Sequence, residues 1–170
     1  MSIQGSRGPQ DRGVTPNLMV RGVNEAIEFY RRALGAELLY RGTMPNGMTL
    51  HAQLRVGTSF ILLSDEIMSR EGMPTGSPQK LGGTSAILGI YVDDVDSAFD
   101  RAISAGGKAM GPVADAFYGD RIGMFTDPFG HIWTLATPKE VVTPEGVVSP
   151  DARALQPDAI GLALVRQLHV

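Results

Sequence analysis

Apolar and polar residues alternate along this chain in an order that occurs twice. "VTPNLMV" reads as a short strand, and in "NEAIEFYRRAL" Ala26, Ile27, Tyr30 and Leu34 recur at helical spacing. Asn24 stands where an N-cap is wanted, and Gly35 is placed to stop that helix. Three strand-like runs follow, "AELLYRGT", "MTLHAQLRVG" and "TSFILLSD", broken by Pro45-Asn46-Gly47 and by Gly57. In the middle run Leu50, Ala52, Leu54 and Val56 take one face, and Thr49, His51, Gln53 and Arg55 the other. A Gly/Pro/Ser-rich connection spans 66–84, and then the order restarts. "SAILGIYV" is a strand and "DSAFDRAISAG" a helix capped by Asp94 or Asp96; "KAMGPVADAF", "DRIGMFTD" and "HIWTLAT" are strands.

A shift of 72 residues pairs Val20 with Val92, Val23 with Val95 and Ala26 with Ala98. It also pairs Glu28 with Asp100, Ala33 with Ala105 and Gly35 with Gly107. The matches fall on the strand end, the buried helix face and the helix stop, where a βα unit needs them. Each copy has one exposed apolar sheet face, so packing two copies together buries what neither can bury alone. The expectation is a mixed α+β domain over 14–138, with module one at 14–65 and module two at 85–138. Residues 1–13 read as a disordered polar leader. Residues 139–170 form a Pro-punctuated extension, weakly helical from Asp158, whose role the sequence leaves open.

Composition narrows the function classes. The chain has 170 residues, no cysteine and a net charge of −3. Disulfides, thiolate metal sites and cysteine nucleophiles are excluded, and no basic stripe points to nucleic acid. No secretion signal or membrane-length apolar run is present, so a soluble cytoplasmic protein without a membrane partner is expected. Phosphate-binding loops, the dinucleotide glycine fingerprint and a Gly-x-Ser-x-Gly elbow are missing.

The tandem order ending in "DPFGHIWTLAT" resembles the vicinal oxygen chelate superfamily of glyoxalases, extradiol dioxygenases, fosfomycin-resistance enzymes and bleomycin-resistance proteins. "AIEFYRRALGAE", "HAQLRVG", "ILLSDE" and "GDRIGMFTDPFGHIWTLAT" are similar to its PhnB-like branch. The resemblance implies two βαβββ modules forming a U-shaped open barrel around a cleft, often completed by a partner subunit in a homodimer. It also implies, in metal-using members, one ligand on the first and last strand of each module. Those positions fall on Thr15, on Ile87, around Ser64 or Asp65, and on Thr134, where Gly-His-x-x-Glu would carry glutamate. Thr15, Ile87 and Thr134 are not metal ligands of the usual kind. No cofactor and no catalytic residue is therefore expected, and metal-independent binding of a small, planar apolar molecule leads. The alternative is a lyase, isomerase or dioxygenase using His51, Asp65 and Asp120 on an atypical metal; a third reading is a structural domain without ligand.

The candidate ligand-binding residues are His51, Gln53, Tyr91, Phe117, Tyr118, Asp120, Met124 and Thr134, with Met19 as a further wall. Asp120 and Arg121 are read as a hairpin ion pair or as grips on a charged ligand. Asp93, Asp94 and Asp96 are read as helix-capping acids. Asp127-Pro128-Phe129-Gly130 has the composition of a β-turn, so Asp127 and His131 read as fold-making rather than catalytic.

Overall fold

A computed structural model describes residues 13–68, 72 and 75–139. The expectations for the leader up to Arg12, and for the extension from Glu140 onward with His169, lie outside the described residues. The first module runs β1 (Asn17–Val20), α1 (Val23–Leu34), β2 (Glu37–Thr43), β3 (Thr49–Val56) and β4 (Ser59–Asp65). The connection holds a single 3-10 turn (Glu66–Met68) and a short helix α2 (Pro78–Leu81). The second module runs β5 (Ile87–Tyr91), α3 (Val95–Ser104), β6 (Lys108–Ala109), β7 (Ala114–Asp115), β8 (Asp120–Thr126) and β9 (Ile132–Pro138).

The sheets have the orders β1-β4-β3-β2 and β5-β9-β8-β6, with β7 also on β8. In each module the first strand pairs parallel with the last and the remaining pairs are antiparallel. The internal repeat is thus structural: Asn17 lies opposite Leu62 and Gly89 opposite Thr134, both pairs related by the same 72-residue shift. The strands do not close into a barrel, and the fold is a mixed α+β pair of βαβββ-like modules.

The two helices join the modules. Ala26, Ile27, Tyr30 and Ala33 of α1 and Ala98, Phe99 and Ala102 of α3 enter one apolar cluster with the inward residues of both sheets. Their C-termini are tied reciprocally: Arg101 donates to the Ala33 carbonyl at 3.3 Å, and Arg32 donates to the Ala105 carbonyl at 3.4 Å. Ala33 and Ala105 are repeat partners, so the ties follow the pseudo-symmetry.

Three local expectations change. Helix α1 begins at Val23 with Gly22 as N-cap, because the buried Asp65 carboxylate on β4 accepts the Gly22 N–H at 3.2 Å. Asn24 instead accepts the Thr49 hydroxyl at 2.7 Å. Asp94 caps α3 as expected, accepting from the N–H groups of Asp96 and Ser97. "KAMGPVADAF" is two short strands rather than one; between them lies Gly111-Pro112, and proline has no N–H to give a ladder. Pairing of β1 starts at Asn17, although the Pro16 carbonyl still accepts the Leu62 N–H at 2.8 Å.

Candidate functional site

The Asp-Pro-Phe-Gly-His turn is an anchor between modules. Asp127 is only 4% exposed, and four donors surround its carboxylate. Oδ1 accepts the N–H groups of Phe129 and His131, both at 2.9 Å. Oδ2 accepts the Tyr30 hydroxyl at 2.6 Å and the Trp133 indole N–H at 2.9 Å. Tyr30 belongs to α1, so the carboxylate of the second module is satisfied partly by the first. The His131 ring pairs through Nε2 with the Met19 carbonyl on β1 at 3.0 Å, a second tie between modules. Gly130 closes the turn at φ 88, and a Cβ there would stand 2.9 Å from Pro78 Cβ. The turn reading holds, and the two polar residues that looked chemical hold the fold instead.

Burial, then the Asp127 carboxylate, push the Tyr30 hydroxyl well above its ordinary pKa. A raised tyrosine pKa contributes stability that is complete below the unfolded value near 10 and is lost as pH rises beyond it. Each pH unit between the unfolded and folded values removes about 1.4 kcal/mol. Tyr30→Phe lacks this component. Its stability deficit relative to wild type should therefore shrink as pH rises above the unfolded value near 10. Chemical denaturation below and above that value checks the sign.

The sheet faces turned away from the helices carry the candidate ligand residues. On the first sheet, β3 presents His51 and Gln53, both half-buried, and β4 presents Leu62 and Ser64 beside them. Ser64 is a polar hub, 7% exposed: its hydroxyl donates to Asn17 Oδ1 at 2.9 Å and lies 3.1 Å from His51 Nδ1. The Tyr40 ring meets the His51 ring edge-on at 6.2 Å. On the second sheet, Met124 and Thr134 are cross-strand partners and Thr134 lies opposite Gly89. Tyr91 is 68% exposed, and its hydroxyl donates to Asp120 Oδ2 at 2.8 Å. That hydrogen bond and the Asp120 charge raise the Tyr91 pKa, which keeps the phenol protonated. Phe117 and Tyr118 are 65% and 43% exposed and meet edge-to-face at 5.2 Å.

The second-sheet candidates therefore gather around Tyr91 and Asp120, while His51 and Gln53 stand on the other sheet. Sequence reasoning missed Asn17 and named Ser64 only as an alternative to Asp65, although the alternation through β1 and β4 contains the signal. Asp120 and Arg121 do not pair, because adjacent strand residues point to opposite faces. Arg121 instead binds Asp96, with hydrogen bonds of 2.7 and 2.8 Å, and Asp115 at 3.0 Å. Those carboxylates hold the Arg121 guanidinium pKa up, Asp96 foremost; Arg121 holds Asp96 low in return, and Lys139, then Arg121, holds Asp115 low.

The strand registers bear on the positions that the resemblance implies for a chelate. Thr134 and Leu62 are repeat partners facing Gly89 and Asn17, so the repeat points to Leu62 as the first-module counterpart of Thr134, beside Ser64 and Asp65. Asp65 is committed elsewhere, accepting from Gly22 and Ile67 N–H groups. Thr15, Leu62, Ile87 and Thr134 offer two hydroxyls and neither imidazole nor carboxylate, which does not fit a divalent metal. Among the described residues, no group of three or more His, Cys, Asp or Glu side chains is placed to hold one. None of their helices is long and apolar enough to cross a membrane.

Paired βαβββ modules with a parallel first-to-last strand pair define a protein of the vicinal oxygen chelate fold. The chain belongs to the glyoxalase/bleomycin resistance protein/dioxygenase superfamily, whose family model matches residues 14–135. It is 38% identical over 125 residues to an uncharacterised Mycobacterium tuberculosis protein, covering 74% of each chain. Among solved structures it is similar to TioX from Micromonospora sp. ML1, with TM-score 0.59, 24% identity, and coverage of 74% of this chain and 99% of that one. The fosfomycin resistance protein FosX from Listeria monocytogenes matches with TM-score 0.55 and 16% identity, over 74% of this chain and 91% of that one. At these identities the two structures establish the fold alone.

Proposed function

We propose that this protein binds and sequesters a small, planar, largely apolar molecule without a metal, as a PhnB-like member of bleomycin-resistance type. The observation that carries the reading is the set Thr15, Leu62, Ile87 and Thr134 at the chelating positions. The scaffold that presents a chelate is retained, and the side chains that would make it are replaced by apolar or hydroxyl groups. On the open face of the second sheet, Ile87 and Tyr91 are 59% and 68% exposed beside Met124 and Thr134, which suits a flat ligand. Tyr91 and Asp120 supply hydrogen-bonding groups at its edge, and Gln53 stands on the first sheet as a further candidate. In this reading the protein is cytoplasmic and a homodimer, with a second copy helping to cover the exposed Ile87, Tyr91 and Phe117.

Elemental analysis of protein purified without chelators is expected to give far less than one metal ion per chain. Thermal shift with planar aromatic compounds should then find a binder that stabilises by about 2.7 kcal/mol at 100-fold its Kd. Tyr91→Ala should weaken that binder. Stoichiometric zinc, iron, manganese or nickel, lost on His51→Ala, would overturn this reading in favour of a metal-dependent lyase, isomerase or dioxygenase. Absence of any shift across a broad panel would overturn it in favour of a domain without ligand.

A further inference from the structure

The repeat is uneven at the seam between the modules. β1 and β5 are edge strands of their sheets, and the two edges approach each other without pairing. At one end of the seam three aromatic side chains pack together, beside a hollow lined by Leu18, Met19, Pro78 and His131. Tyr30 packs on Trp133 at 5.6 Å and on Phe129 at 6.2 Å, and His131 reaches the Met19 carbonyl. At the other end the repeat supplies small residues. The 72-residue shift puts Ala102 in the place of Tyr30, Ile61 in that of Trp133 and Ser59 in that of His131. The tight Gly57-Thr58 hairpin stands where the longer turn brings Phe129. Phe99, larger than its counterpart Ile27, does not compensate, because its ring packs against Gly123 and Val113 on the β8 side.

Beside Ser59 and Ile61 lies a pocket of about 430 Å³, within the size range of small-molecule sites. Its walls include Val56, Ile61, Leu88, Ile90 and Trp133, and none of the residues lining it is charged. Strand alternation sets these five walls on the helix side of the sheets, opposite the faces that carry Leu62 and Thr134. Phe60 and Gly89, also in the lining, belong to those faces at the pocket's rim. Thr15 and Ser59 are the hydroxyl-bearing residues of the lining.

We infer that this seam pocket is a second ligand site, distinct from the open sheet faces, that takes an uncharged aromatic molecule. A charged ligand would leave water without a counter-charge, whereas a neutral ring exchanges apolar surface for apolar surface. Thr15 or Ser59 can satisfy a single hydroxyl or carbonyl on the ligand's edge. The inference shares Thr15 with the proposed function and otherwise rests on other residues, Val56, Ser59, Ile61, Leu88, Ile90 and Trp133.

Trp133 is the only tryptophan in the chain and lines the pocket, so its emission reports on this site. Titration of the full chain with the neutral fluorophore N-phenyl-1-naphthylamine should quench Trp133 and brighten the probe, saturating at one probe per chain. Ser59→Phe starts from an exposed position on the pocket side of β4 and places a ring where the other end of the repeat carries that of His131. It should weaken the probe at least tenfold while the melting temperature stays at or above the wild-type value. If that variant does not unfold cooperatively, Ile90→Phe fills the same space from the opposite wall and should show the same loss. No saturable quenching up to the probe's solubility limit would overturn the inference. So would wild-type affinity in a folded filling variant, or loss of binding in Tyr91→Ala with Ser59→Phe unaffected, which would assign the probe to the open face.

Discussion

Asp127→Ala should be the most damaging single substitution in this protein, lowering unfolding free energy by about 3–5 kcal/mol. The carboxylate is buried with four donors on it, and two of them, the Tyr30 hydroxyl and the Trp133 indole, are themselves buried. Removing the acceptor strands those donors in a region walled by Phe29, Phe129 and Tyr30, where each unsatisfied group costs about 1–3 kcal/mol. For a domain of ordinary stability, near 5–15 kcal/mol, that loss is a large fraction. Asp127→Asn should lose less, because its oxygen can still accept the Phe129 and His131 N–H groups and its amide can donate to the Tyr30 hydroxyl oxygen, while opposing the indole N–H. Tyr30→Phe should cost least of the three, since only one donor is removed and the carboxylate keeps three. Urea denaturation of the three variants should give the order Ala, Asn, Phe from most to least damaging. An Asp127→Ala protein as stable as wild type would show that the turn does not anchor the modules.

Gly107→Val should cost about 1–3 kcal/mol through overpacking. A Cβ at Gly107 would lie 2.9 Å from the Ala102 carbonyl oxygen and 2.9 Å from the Phe125 ring. The carbonyl belongs to α3 and accepts the Gly107 N–H at 3.0 Å, so it cannot retreat without opening the helix end. Its repeat partner Gly35 makes a useful control. Gly35 sits at φ 64 with nothing near its Cβ direction, so Gly35→Ala bears only the left-handed backbone penalty, about 1 kcal/mol. Thermal melts of Gly107→Val and Gly35→Ala side by side separate steric from conformational cost. Equal melting temperatures would contradict the close approach at Gly107.

The glycine pair shows what a matching letter conceals. Gly35 and Gly107 align in the repeat, yet one is needed for its φ and the other for the space it leaves. A sequence register records that both positions exclude a side chain and does not record why. Asn24 illustrates the same limit: its residue type suits an N-cap, but Asp65 from another strand already caps that helix end, and Asn24 turns to Thr49. Local preference was overruled by a tertiary partner.

What the sequence determined by itself was the architecture. Alternation of period two, helical spacing, glycine stops and a 72-residue repeat follow from local geometry, and the strands, helices and pairing register follow them. Thr15, Ile87 and Thr134 could be read off the chain as well, but only the resemblance to the superfamily marks them as positions where chelating members carry ligands. Only the tertiary structure decided which partners the polar groups chose. Hydrogen bonds such as Tyr30 to Asp127, 97 positions apart, and Arg121 to Asp96, 25 apart, depend on how the modules and strands meet. The seam pocket, too, arises where small residues of one module meet the edge of the other, a void that neither repeat contains alone.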